Sequence, residues 1–419
     1  MKEDIEQAIE RLRSNAGRYG RYEQYYRGAH RLSFATEKFE NVFGAQFRAF
    51  AMNLCPAVCD AVKDKLTITG FVPADGRPDP ERLTEKIWDR NLMCLRSGEV
   101  HKEVLKNGDA YVIAWADAEG RALLHPNRAA DVAVFYDEER PGRVIKAAKS
   151  WRSADGHTRL NLYFPDRIEK YVTAKANGSW LPDPADFVPD TSARTPRGGR
   201  SNTVPNPYGI VPVFHFSNNA DIGQSGRSEL EDAIPIQDGL NKSVLDMLVA
   251  MEFSAYRQRW AAGIELEYDL EGKPVAPFRS GVEHLWIAQD PNSKFGDFEA
   301  AQLDQFLKVK DSFRIDIASV TGTPLHYLMP HMRGQPSGET LRRSETRFLA
   351  KVRDRQNAFG QVWARVMEFA LAIEGNSDGI LLRTEWEDPS PMTERERLEN
   401  VLLKRQVGLP VERAAGSGL

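Results

Sequence analysis

Along the 419-residue chain the apolar positions change period several times, and each change marks an element boundary. Residues 1–27 carry helical spacing and end in the tyrosines Tyr19, Tyr22, Tyr25 and Tyr26 before Gly28. A second helix is predicted over Asn53–Lys65, with Leu54, Val58, Ala61, Val62 and Leu66 at helical spacing. It gives way to strand-like alternation at Thr67–Phe71. Helices are predicted again over Pro80–Asn91 and Leu95–Lys106. Strands follow over Ala110–Ala116, Val132–Tyr136, Val144–Trp151, Arg159–Phe164 and Ile168–Val172, set apart by Asp-Gly and other glycine turns. Residues 173–209, rich in Pro, Asp, Asn, Ser and Gly, read as a long surface connection, and Val211–Phe216 as a closing strand.

The character changes at Ser228. Residues 228–257 form a long helical pattern with Ser228 as N-cap, Glu229 and Glu231 in the first turn, and Pro235 bending its start. Residues 258–299 are strand-like and turn-rich, and a helix over 300–319 leads into the loop Val320–Ser337. From there to Ile373 the pattern is helical without an interior proline, a rod of roughly 50 Å. Its apolar stripe is Leu341, Phe348, Val352, Phe359, Trp363, Val366, Ala370 and Ile373. A strand over Gly379–Trp386, a proline-rich turn, a helix over Thr393–Gln406 and a frayed tail complete the order. The fold class is α+β.

Composition adds bounds. A hydrophobic fraction of 41% and a charged fraction of 28% are those of globular protein in two or three compact units. No run of eighteen apolar residues marks a membrane span, and MKEDIEQAIERLRSN lacks the apolar core of a signal peptide. Three cysteines (Cys55, Cys59, Cys94) do not form a disulfide framework, so synthesis in a reducing cytoplasm is expected. The net charge of −4 argues against a tight duplex clamp, because such affinity comes from neutralising phosphates.

Chemistry-bearing patterns are few. Cys55 and Cys59, four apart on a helix, are expected to be core residues, since no matching pair of metal ligands lies nearby. His326 and His331 lack a third ligand and are expected to be solvated or lumen-facing. Ala148-Lys149-Ser150 lacks the glycine that a phosphate-binding loop requires before its lysine. Glu229, Glu231 and Asp232 read as helix-start acids. No catalytic residue, metal site or cofactor is predicted. The long helix does stand out: Arg342, Arg343, Arg347, Lys351, Arg353 and Arg355 crowd its loop-proximal half, opposed only by Glu339, Glu345 and Asp354. Such a segment reads either as a solvated face with internal ion pairs or as a surface turned to a polyanion.

Five stretches, in this order, carry a resemblance: Tyr25–Gly28, Asn206–Val213, Ser228–Asn241, Ala318–Tyr327 and Pro336–Leu341. With them the chain resembles, over nearly its whole length, the portal proteins of tailed bacteriophages, in particular the SPP1-like portal family of siphophages. The resemblance implies a ring, usually of twelve subunits, at one vertex of the viral head. Double-stranded DNA passes through its axis during packaging, is retained, and is later ejected.

It also implies an organisation: wing at 1–227, first stem helix at 228–257, clip at 258–299, second stem helix at 300–320. A tunnel loop at 321–337, a long, often kinked wing and crown helix at 338–374, and a short or truncated crown at 375–419 follow. Gly360 is one place for the kink. The loop residues implied to face DNA are Thr323, His326, Tyr327, His331, Met332, Arg333 and Gln335. Arg342, Arg343, Arg347 and Lys351 would stand beside the tunnel, and Asn241, Lys242, Asp246, Lys308, Lys310 and Arg314 on the stem. Implied partners are further copies of the chain, DNA, the terminase large subunit, head-completion or adaptor proteins, and the major capsid and scaffold proteins, with no membrane. The virion is the implied location, after assembly in the host cytoplasm. A reading from another class, a nuclease of the packaging apparatus, requires a metal-binding carboxylate cluster.

Overall fold

The computed structural model describes residues 2–31, 33, 52–76, 78–176, 179–191, 200–222, 225–255, 259–263, 267–268, 274–275, 292–297, 304–329, 338–376, 379–390, 399, 401–403 and 406. In chain order the elements are α1 (Lys2–Arg27), α2 (Cys55–Lys63), β1 (Ile68–Pro73), α3 (Pro78–Arg90), α4 (Met93–Asn107), β2 (Asp109–Ala116) and β3 (Ala122–Asn127). Next come β4 (Val132–Tyr136), β5 (Val144–Arg152), β6 (Thr158–Tyr163), β7 (Arg167–Thr173), β8 (Phe187–Pro189), β9 (Thr203–Pro205) and β10 (Val213–Ser217). The remainder is α5 (Ala233–Ala255), β11 (Arg259–Ala262), β12 (Glu267–Tyr268), β13 (Pro274–Val275), β14 (Lys294–Asp297), α6 (Asp304–Thr321), α7 (Leu325–Leu328), α8 (Gly338–Ile373) and β15 (Leu382–Trp386).

Two compact units divide the chain: Met1–Arg31 with Asn53–Gln237 and Arg314–Leu419, and Leu32–Met52 with Asp238–Phe313. The division falls inside both α5 and α6.

In the first unit an antiparallel sheet runs β4-β5-β6-β7-β8, and β9 shares with β8 the free edge of β7. The alternation of β5 and β6 explains its two faces, because successive side chains of a strand point opposite ways. Ala148, Leu160, Leu162 and Tyr171 pack with Ile5, Ala8 and Ile9 of α1. Ala147, Tyr163 and Ile168 pack on the other side with Val132, Val134, Tyr111, Ile113 and Val213. Lys149 therefore sits mid-strand, its ammonium 5.2 Å from the Trp151 ring centre, and has no part in a phosphate loop.

A second sheet, β10-β2-β3, lies between this layer and α8. The predicted α8 stripe is buried at Phe348, Val352, Phe359, Trp363, Val366, Ala370 and Ile373, while the Leu341 side chain lies outside those described. Trp363 anchors it: the indole N–H donates to His101 Nε2 at 2.9 Å, and Trp88 and Phe216 pack on the ring. Gly360 carries the backbone of α8 past β15: Thr384 Oγ1 donates to its carbonyl at 2.7 Å, and an added Cβ would lie 3.0 Å from Trp386 Nε1. Close approach explains that glycine. Cys55 and Cys59 are buried and form no disulfide, as expected of core residues.

The structure corrects the sequence reading in several places. Strand β3 was missed, and the expected surface connection over 173–209 contains β8 and β9. The long helix starts at Ala233, not Ser228. Pro235 accordingly falls in its first turn, where a missing N–H breaks no intrahelical bond.

In the second unit β11 pairs with β14 and β12 with β13, both antiparallel. Gly239 of α5 faces the Phe313 ring of α6, where a Cβ would stand 3.0 Å from it. Among the described residues no helix is long and apolar enough to cross a membrane.

Candidate functional site

The site is built on a close crossing of two glycines. Gly108 ends α4 with φ at +88°, which lets the chain turn at once into β2. An added Cβ there would lie 2.3 Å from the Gly226 carbonyl oxygen, so the 226–229 segment runs directly against the end of α4. The backbone registers it: Asn218 N–H donates to Gly108 O at 2.8 Å, Arg227 N–H to Asn218 O at 2.7 Å, and Glu229 N–H to Leu105 O at 2.9 Å. Below, the buried Asp109 carboxylate accepts from Gly226 N–H at 2.8 Å, Tyr19 at 2.7 Å and Arg18 at 2.9 Å, and meets His215 Nε2 at 2.7 Å. Burial raises the Asp109 pKa, yet His215, Tyr19 and Gly226 together hold it below the usual carboxylate value.

Ser228 does cap, but a turn rather than a helix. Its hydroxyl accepts from Leu230 N–H at 3.0 Å and donates to the Lys106 carbonyl. Glu229 is thereby pinned in the interior, four residues before α5. Its carboxylate accepts from Lys351, from Arg355 Nη2 at 3.1 Å and from Asn218 Nδ2 at 3.1 Å. Burial alone would raise the Glu229 pKa; the two cations outweigh that and hold it below the ordinary value. Reading Glu229 as a helix-start acid is thus overturned: it is the buried counter-ion of α8.

Lys351 joins three segments. Besides Glu229, it donates to the carbonyl of Thr321, the last residue of α6, at 2.8 Å, where a helix C-terminus favours positive charge. Thr321 Oγ1 in turn donates to Ile317 O and lies 2.9 Å from Thr323 Oγ1. Around this joint a cleft of about 310 Å³ opens, lined by Asn218, Asn219, Arg227–Glu229, Asp232, Val320–Gly322, Arg347, Lys351 and Arg355.

The predicted site residues divide accordingly. Arg347 and Lys351 line the cleft. Thr323 is 3% exposed and faces the core, which corrects its assignment to a DNA-facing loop. His326 pairs with Glu345 at 3.1 Å, and Tyr327 is partly exposed beside Phe348. With α7 packed through the buried Leu328, residues 321–329 are folded structure. His331, Met332, Arg333 and Gln335 lie outside the described residues, as do the side chains of Arg342 and Arg343 on α8. On the long helices Asn241 is buried, Lys242 pairs with Asp246 within α5, Lys308 is exposed, and Lys310 and Arg314 are half-buried. Sequence reasoning missed the partnership of Glu229 and Arg355, which lie 126 positions apart, together with Asn218. The only sequence signal was the excess of arginine on α8.

A model of the family described as phage portal protein, SPP1 Gp6-like, matches residues 63–412. The portal protein of Mycobacterium phage D29 is 24% identical over 352 residues, 80% of this chain and 68% of that one. The portal protein of Mycobacterium phage L5 is 28% identical over 355 residues, with the same shares. A chain from the neck of an empty GTA particle, computed with C6 symmetry, is similar in fold at a TM-score of 0.50 and 12% identity, covering 88% of this chain and 90% of that one. The chain belongs to the SPP1 Gp6-like family of phage portal proteins.

Proposed function

We propose that copies of this chain, twelve by the family's habit, close into the ring at one vertex of a phage head through which double-stranded DNA is packaged, retained and released. The carrying observation is the family match over 63–412. Exposed apolar side chains support the ring: Leu307, Val309, Ile315 and Val320 on α6 and Met251 on α5 are all more than a third exposed in the single chain. Neighbours in a closed ring meet through unlike faces and would cover such positions.

In this reading 1–227 is the wing, 228–257 and 300–320 the stem, 258–299 the clip that docks terminase and head-completion proteins, and 338–374 the wing and crown helix. Residues 330–337 are the part of the expected tunnel loop left to reach DNA. The chain is a structural part of the virion rather than a catalyst, put together in the host cytoplasm with capsid and scaffold proteins. A net charge of −4 suits a conduit, since a strongly basic lining would brake a sliding polyanion. Heads assembled without this chain should contain no DNA, and supplying it should restore filling; DNA-filled heads in its absence would refute the proposal.

A further inference from the structure

The register of the large sheet sets two lysines without a counter-charge on one of its faces. Lys149 of β5 stands opposite Asn161 of β6, and Asn161 opposite Lys170 of β7. Opposed residues of antiparallel strands share a face, so the three form one row, with the lysines two strands or about 10 Å apart. The neighbouring row is Ala147, Tyr163 and Ile168, which places the lysines on the side of the sheet away from α1. Both lysines are half-buried, and neither ammonium has an ion pair or hydrogen bond among the described residues.

The acids around this row are committed. Arg159 holds Asp155 at 3.2 Å and Asp190 at 2.7 Å, and Arg128 holds Asp131 at 2.9 Å. Burial keeps the Lys149 pKa below the ordinary lysine value, and Asp131 does not make up the difference. Positive charge gathers here: burial, Lys149 and Arg96 together depress the pKa of His125. In sequence, the β8–β9 connection over 192–199 adds two arginines and no acid. The missing counter-charge must come from outside this unit of the chain.

The other side of the same layer has the opposite sign. There α1 packs Ile5, Ala8 and Ile9 onto the sheet. At 3.6 residues per turn Glu3, Glu6 and Glu10 fall on the side of α1 away from that contact, and all three are exposed. Glu6 and Glu10 have no ion pair or hydrogen bond among the described residues, and Lys2 and Arg11 flank the stripe. A layer that is acidic on one side and holds unanswered lysines on the other is complementary to a second copy of itself, front to back. Contacts in a closed ring are of that kind, between unlike faces of successive subunits.

We propose that the Lys149–Lys170 row of one copy receives the Glu6–Glu10 stripe of the next. The ring itself rests on the portal reading; the pair of surfaces that meet is added here.

The test follows the particle mass of the full chain and its variants across concentration and salt. Lys149→Glu with Lys170→Glu, and Glu6→Lys with Glu10→Lys, should each raise the concentration for half-maximal ring formation at least about tenfold. All four changes together should restore it to within about threefold of the parent, a recovery that misfolding of either double variant could not give. Should melting show that a reversal does not fold, Lys170→Gln and Glu10→Gln serve instead. Each should raise that concentration about threefold, and no change in either would overturn the inference. Rings that form equally well in both double variants, or four changes that fail to restore assembly, would also overturn it while leaving the portal reading intact. So would normal rings that lose DNA retention when the lysines alone are reversed, an outcome that assigns the row to the polyanion. A parent chain that never forms rings would instead sink the portal reading, and this contact with it.

Discussion

With two cations and an amide donating to it, the Glu229 carboxylate fits its surroundings only while charged. Glu229→Gln should cost about 3 kcal/mol in urea unfolding, because a broken buried pair leaves its cations unanswered; a loss near zero would show that solvent already screens the cluster. Acid should act on two groups. Burial lowers the His101 pKa to about 3 from 6.5, so the unfolded chain takes up a proton first as pH falls below about 6.5. Stability should drop by about 1.4 kcal/mol per pH unit from there toward 3. The depressed Glu229 pKa adds a second loss, beginning below its unfolded value of 4.5. His101→Gln keeps an acceptor for the Trp363 N–H and should flatten the slope between pH 6.5 and 5; an unchanged slope would place the titration elsewhere. The sequence showed Arg347 and Lys351 but not their setting, because charges are visible one by one, whereas the pairing of residues 229 and 355 is made by tertiary structure.

Elements with strong local signals were legible and those made by pairing were not. The stripe on α8 predicted a helix to within a residue of its observed Gly338–Ile373, because apolar spacing and burial share one cause there. The three-residue strands β8 and β9 exist because β7 offers them an edge, and no alternation within Phe187–Pro189 or Thr203–Pro205 could announce that. The start of α5 was misplaced by five residues, since the capping serine is tied to α4 instead. Glycines carry the contacts between elements. Gly108→Ala should unfold or severely destabilise the protein, at a cost of more than about 3 kcal/mol, as both its φ of +88° and the Gly226 carbonyl exclude a Cβ. Gly360→Val should cost about 1–3 kcal/mol by crowding Trp386 and Thr384. Melting temperatures distinguish these outcomes, and equal, small losses at both sites would contradict the packing described.

At the scale of the whole molecule the order of motifs was decisive, and the matched family over 63–412 favours a portal over a nuclease. Within the loop expected over 321–337, Leu325–Leu328 form α7, and 330–337 lie outside the described residues. Removing 323–335 would take Thr323 and Leu328 out of the core and should lower stability. Removing 330–337 should instead leave assembly intact and impair DNA packaging or retention, scored as the fraction of filled heads. The most direct check of the central claim is the mass of the purified full chain in solution. Closed rings of roughly a dozen 47.2 kDa subunits, about 570 kDa, are expected. A protein that stays monomeric at every concentration and ionic strength tried would contradict it.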